Sequence, residues 1–403
     1  MQRLRLLTGG ESHGAAVTAI LSGMPAGLAV PRARLARELA RRRELAGRSQ
    51  RMKLETDTFT CEGGLRGGVT TGNPIVLRLP NAEAEQWSRL LHPFAGSRDD
   101  PLTVPRPGHA DLAGALKFAA VAGGKLHPAD IRDVWERASA RETAARVLTG
   151  GVCKLLLEAV GMSVSSLCYQ VGKVALPRRS LLKLLCANSL EALPYKRIEA
   201  SPLRMPDAEL EERALAEIGA ARQRGTTLGG SFAVWAFAVP PGLGSFGQWD
   251  ERLDGRLAQA VMSIPAVRAV AFGTATLMPS ADGAGYHDLP ERAGSSVSHR
   301  SNRAGGVVGG VANGMPVVLT ALVKPLPTQQ EPLPSVDLAA GKPARAPALR
   351  SDVTAVPAAS VVAEAMVALV LADAVLAESG GSHLTEVVRR VEERRRLLSG
   401  LFG

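Results

Sequence analysis

Cysteine is scarce in this chain: four in 403 residues, at Cys61, Cys153, Cys168 and Cys186, with no C-x-x-C pair and no metal-ligand spacing. That excludes a disulfide framework and a zinc module, and it predicts reduced, mostly buried thiols in a cytosolic protein with no bound metal. Aromatic residues are also few, at 4%, so small aliphatic side chains must build the core. The start, Met1 to Leu7, has too short an apolar region for a signal peptide. Zinc-finger spacing, RNP-type aromatic motifs and a lysine-rich tail are all lacking, so only net charge argues for nucleic acid. The longest apolar run, Ala355 to Ala377, carries Glu364 and Asp373 and has Pro357 near its start. It predicts a buried or subunit-interface helix rather than a membrane span.

Hydrophobic residues make up 46% and charged residues 21%, the balance of an ordinary globular protein. The 42 glycines supply many tight turns, and the net charge is +10 with a pI near 9.9. Such a surplus attracts anions, either a polyanion or a small multiply charged molecule in a basic pocket. Alternating or apolar runs predict strands over 3–8, 15–21, 75–79, 164–171, 229–239, 267–272 and 317–323. Helical patterns occupy 35–43, 110–118, 130–160, 207–224, 253–263, a stretch from about 358, and 387–396. The stretches 80–107, 174–206 and 273–304 read as irregular, and a Pro/Ala-rich linker precedes Arg350. Residues 1–403 read as a single domain. Two strand, proline-glycine turn and helix successions, at Pro25-Ala26-Gly27 and Pro240-Pro241-Gly242, hint at an internal pseudo-duplication. Gly150-Gly151 inside the long helix predicts close packing against a neighbour.

Chemistry concentrates in a few places. In Arg106-Pro107-Gly108-His109-Ala110-Asp111 a histidine is pinned between a Pro-Gly turn and a helix start. A second helix region holds Arg137, Ser139 and Arg141. Helix starts favour anions, guanidinium groups bind phosphate or carboxylate, and an imidazole can move a proton near neutrality. Gly10-Glu11-Ser12-His13-Gly14 matches the G-x-S-x-G nucleophile elbow literally. Residues 15–21 look like a strand where the elbow needs a helix, so a tight loop presenting Ser12 and His13 to a ligand is the better reading. Arg41 to Lys53 holds six basic residues in thirteen and reads as an anion-facing loop. Three readings therefore stand: a phosphate- or carboxylate-binding site with an imidazole placed to move a proton, a serine hydrolase using Ser12, and a nucleic-acid binder.

Six collinear motifs resemble chorismate synthase: Gly10 to Gly14, Arg106 to Asp111, Ser139-Ala140-Arg141-Glu142-Thr143, Asn302-Arg303-Ala304-Gly305-Gly306, Lys324-Pro325, and Arg350-Ser351-Asp352 with Ala355-Val356-Pro357. The resemblance implies an α+β fold, a β-α-β sandwich of antiparallel sheets with helices between them, assembled as a homotetramer. It implies a monofunctional, cytoplasmic carbon–oxygen lyase that converts 5-enolpyruvylshikimate 3-phosphate into chorismate and phosphate by anti-1,4-elimination. The reaction requires reduced FMN without net redox change, with NADPH serving indirectly through an external flavin reductase. By the same resemblance His13, His109 and Asp352 are catalytic, and Ser12, Arg42, Arg48, Arg106 and Arg141 bind substrate or NADP. Arg137, Ala138, Ser139, Pro265, Ala266, Gly309, Lys324, Pro325, Leu326, Pro327, Thr328 and Arg350 hold FMN. The chain departs from the family pattern with Ala138 in an Arg-Ala-Ser run, with Pro265 where Asn is common, and with an insertion near 119–129 that predicts an extra surface loop.

Overall fold

Period-two alternation puts Val17, Ala19 and Leu21 on one face of a strand, and the computed structural model buries all three. The structure describes residues 3–48, 58–98, 102–124, 127, 130–348 and 351–400. The first sheet has strands β1 (Arg5–Gly9), β2 (Ala16–Ser22), β3 (Thr60–Gly63) and β4 (Ile75–Pro80), antiparallel in the order β1-β2-β4-β3. The second has β5 (Ser163–Val171), β6 (Val174–Ala175), β7 (Gly230–Phe237), β8 (Val267–Phe272) and β9 (Val317–Val323), antiparallel in the order β8-β9-β7-β5-β6.

The helices are α1 (Arg32–Arg43), α2 (Ala84–Leu91), α3 (Asp111–Val121), α4 (Asp130–Arg137), α5 (Thr143–Ala159), α6 (Arg178–Leu185), α7 (Tyr195–Ala200), α8 (Ala208–Gln223), α9 (Leu253–Met262), α10 (Val356–Ser379) and α11 (Leu384–Ser399). Helix α5 packs on the first sheet, α10 on the second, and the two pack on each other, with α1 and α9 alongside. The result is an α+β fold, a β-α-β sandwich. Helices α6 and α7 cover the outer face of the second sheet over Trp235 and Phe237, which is why β7 is apolar on both faces. The seam between α5 and α10 needs glycine: a Cβ on Gly150 would sit 2.2 Å from the Cβ of Ala365. Helix α10 has the length and mean hydropathy, 2.1, of a membrane span, yet 94% of that window is buried inside the protein. Its one carboxylate facing α1 and α5, Glu364, accepts from Arg41, Lys154, Arg204 and Ser166.

Several sequence expectations change. The long helix over 130–160 is two, because Ser139 adopts extended backbone and its side chain accepts the Arg141 N–H as an N-cap. The irregular stretch 80–107 contains α2, whose apolar positions Ala84, Trp87, Leu90 and Leu91 share a face, but it is only eight residues long and buries none. Likewise 174–206 contains α6 and α7, short and bounded by Pro177 and Pro194. The loop 273–304 contains a polar hairpin, Pro290–Ala293 with Ser296–His299, and the linker before Arg350 another, Pro334–Asp337 with Lys342–Arg345. Two of the four thiols, Cys61 and Cys186, are exposed; burial pushes those of Cys153 and Cys168 up to about 12.

Candidate active site

The Gly10–Gly14 loop joins β1 directly to β2, and Gly10 has φ +97° where a Cβ would meet the Ala16 carbonyl oxygen at 2.1 Å. Asn81, just past β4, donates to the carbonyls of Glu11 and Gly14 at 3.0 and 2.7 Å. Arg141 holds Asn81 in turn, Nε to Oδ1 at 2.9 Å, and donates to Pro80 O at 3.1 Å. Its guanidinium thus braces the loop from behind.

Ser12 and His13 are not presented to solvent; both are about 7% exposed. Glu136, one residue before the end of α4, lies beneath them. Its Oε2 accepts from Ser12 Oγ at 2.7 Å and from the His13 backbone N–H at 2.9 Å. Both its oxygens lie 2.9 Å from His13 Nδ1. Burial opposes ionisation of Glu136, but the hydrogen bonds and charge of His13, with Ser12, hold its carboxyl below the usual range. An ionised carboxylate can only accept, so Nδ1 carries the proton. Ser12 Oγ meets that same nitrogen, at 3.0 Å. A serine nucleophile needs an accepting ring nitrogen and a helix after the turn, and this loop has neither, which removes the hydrolase reading.

The second histidine has its own carboxylate. Asp111, the first residue of α3, is fully buried and accepts from His109 Nδ1 at 2.5 Å and from Arg106 N, Nε and Nη2 at 3.0, 2.8 and 3.1 Å. Burial alone would raise its pKa; the bonds from His109 and Arg106 bring it down to about 2. The Arg106 guanidinium stacks 3.2 Å from the centroid of Trp135. Trp135 neighbours Glu136 on α4, so one short helix supports both histidines. Arg132 of the same helix lies over Trp87 of α2, whose ring is 4.7 Å from His13.

Further contacts join the remaining candidates. Arg137 donates to Thr8 Oγ1 at 2.8 Å, and Thr8 to Glu142 at 2.8 Å. Arg146 bridges Glu142 and Ser263, two residues before Pro265. Ala266, with φ +71°, accepts the Lys324 N–H at 2.9 Å, and Lys324 Nζ donates to Gly108 O. Thr328 Oγ1 accepts from Arg106 at 2.8 Å, Thr328 O accepts from Ser351, and Asp352 pairs with Arg48 at 2.7 Å. Arg48 donates to Arg42 O, and Arg42 to Thr143 Oγ1 and Ala140 O, each at 3.1 Å. His13, His109 and Asp352 therefore belong to one bonded region.

Ala138 and Ser139 close α4 within that region, and Pro325 to Pro327 run alongside Gly108 and Thr227. Gly309 stands apart: it turns the hairpin Val307–Val308 with Val311–Ala312 against the start of α9, and no contact among the described residues ties it to the histidines. Arg350 and the basic stretch after Arg48 lie outside the described residues. Of that basic run, Arg41 faces the buried Glu364 instead of an anion from solution. A cavity of about 420 Å³ lined by Pro240, Leu243, Val375, Arg390, Arg394 and Leu397 lies between α10 and α11, away from this chemistry.

Sequence reasoning named neither Glu136 nor Asp111 as functional, although both stand inside or beside its motifs. It also passed over Trp87, Trp135 and Arg132. Scarcity was the available signal: two of only four tryptophans sit here.

A family profile described as chorismate synthase matches residues 4–376. Curated relatives described as chorismate synthase include one from Desulforudis audaxviator (strain MP104C), 45% identical over 399 residues, and one from Aquifex aeolicus (strain VF5), 42% identical over 398 residues. Each alignment spans 98% of both chains. A solved structure, "Crystal Structure of Chorismate Synthase", matches with a TM-score of 0.79 at 35% identity over 99% of each chain.

Proposed function

This chain belongs to the chorismate synthase family, and from that premise we propose how its own residues carry the reaction. The family are soluble shikimate-pathway lyases that eliminate phosphate from 5-enolpyruvylshikimate 3-phosphate to give chorismate, and they use reduced flavin. The observation that carries the assignment of roles is the pair of buried histidine–carboxylate couples, His13–Glu136 and His109–Asp111, held by one helix among arginines.

The substrate brings a phosphate and two carboxylates, so binding requires several guanidinium groups. Arg42, Arg48 and Arg106 take the carboxylates and the phosphate, with Ser12 at the edge of the site. Arg141 acts from behind by bracing the loop. His109 donates a proton to the departing phosphate, and Arg106 beside it offsets the charge that develops. Asp352 accepts the C6 proton once its ion pair with Arg48 is exchanged for one between Arg48 and substrate. His13 presents Nε2 toward the flavin side of the site, since Nδ1 is committed to Glu136.

The donor set fits a flavin mononucleotide: cations at Arg137 and Lys324, hydroxyls at Ser139 and Thr328, and small backbone at Ala138, Pro265 and Ala266 for a planar ring. Arg48 Nε, buried without a partner among the described residues, adds a free donor. Pro325, Leu326, Pro327, Arg350 and Gly309 complete the proposed cofactor set. When bound, reduced FMN supplies a transient electron to the substrate as the carbon–oxygen bond breaks.

A cytoplasmic homotetramer that receives reduced flavin from an external reductase, with NADPH consumed there, completes the proposal. Sedimentation tests the assembly. Turnover with NADPH and oxidised FMN alone, without reductase, would overturn the external supply. The decisive test is anaerobic: reduced FMN plus 5-enolpyruvylshikimate 3-phosphate should yield chorismate and phosphate in equal amounts, and no chorismate under those conditions sinks the proposal.

A further inference from the structure

We propose that Glu136 is a positioning residue, which fixes the Nδ1–H tautomer of His13 and keeps Nε2 as the ring's proton-exchanging nitrogen. The inference rests on the proposed lyase function only for its consequence in turnover. Its structural basis is separate: a fully buried carboxylate side chain takes three donors from two consecutive residues, Ser12 Oγ, His13 N and His13 Nδ1. Those bonds define both the ring's protonated nitrogen and its rotamer.

The charged surroundings of the ring are few. Glu136 and Arg132 come from α4, with Arg132 Nη1 3.4 Å from Glu136 Oε1. Trp87 covers the ring from α2. Glu11 folds within the loop beneath Gly14, and Arg137 reaches Gly10 O at 3.3 Å. Among the described residues, Glu136 is the charged group that bonds the ring, so removing that charge should free its tautomer.

Glu136→Gln keeps the shape and removes the charge. In the protein free of flavin and substrate, nitrogen NMR of His13, assigned by difference from His13→Ala, should show signal appearing for the Nε2–H tautomer. With reduced FMN and substrate, kcat should drop roughly 10- to 100-fold while KM moves less than about threefold. Glu136→Asp should recover part of both effects, and it carries the comparison if the glutamine variant folds poorly. A His13 tautomer unchanged in both variants overturns the inference. That outcome is distinct from failure of the lyase function, which would show as no chorismate from the wild-type protein with the tautomer change in Glu136→Gln intact.

Discussion

At the scale of single residues, each histidine bonds its own buried carboxylate through Nδ1, His13 to Glu136 and His109 to Asp111. His13→Ala and His109→Ala should each slow turnover by roughly 10²–10⁴-fold, the usual worth of a positioned acid or base, measured as kcat with reduced FMN under anaerobic conditions. Near-normal rates in both would refute the roles. Asp111 makes a second prediction, about acid. Its carboxyl is depressed from 3.8 to about 2 in the fold, so the stability it lends is present above pH 4 and lost as pH falls toward 2. That contribution is roughly 2 kcal/mol. Asp111→Asn should be less stable than wild type at pH 6, and the gap in denaturant midpoint should close as pH drops from 4 to 2. A gap that persists at pH 2 would argue against the carboxylate as its source. The histidines themselves were legible from Pro-Gly and Gly-flanked motifs. Their acceptors were not, since a Glu at the end of one helix and an Asp at the start of another look like ordinary helix-terminal charges until the fold brings them under a ring.

Among elements, α5 packs closely on α10 at Gly150 and on α1 at Gly151, and that glycine pair announced a close neighbour in advance. Gly150→Ala would gain about 1 kcal/mol of helix propensity. It would also force a methyl to 2.2 Å from Ala365, and overpacking of that kind costs about 1–3 kcal/mol or more. The clash should win, with a net loss of thermal stability and little change in kcat at permissive temperature. A rise in Tm would show that the seam has room to spare. Long elements with an apolar stripe or alternation were legible, including the central strands of both sheets. The ones hidden were α2, α6, α7 and the two polar hairpins. They bury few residues or lie between prolines, so composition looked like loop. For α2 that mattered, because Trp87 reaches His13 from there.

For the molecule as a whole, the middle layer holds its charge in a closed cluster: Arg41, Lys154 and Arg204 against Glu364, with Glu38 and Glu199. Burial would raise the Glu364 pKa, but Arg41, Lys154 and Arg204 hold it well below the carboxylate range. Glu364→Ala would leave three cations against two carboxylates, Glu38 and Glu199, and should cost about 3–5 kcal/mol in chemical unfolding; a loss under about 1 kcal/mol would mean water or rearrangement already screens them. Along the chain Glu364 was read inside a buried helix, but its partners were not visible, and Arg41 read as part of an anion-facing basic run. The apolar character of α10 was visible, and its position has a consequence for biogenesis. Every strand of both sheets precedes Val356, so a ribosome delivers two half-covered slabs before the rod that mates them. Until that rod docks, the nascent product is a sticky open clamshell, with the inner apolar faces of both slabs exposed to self-association.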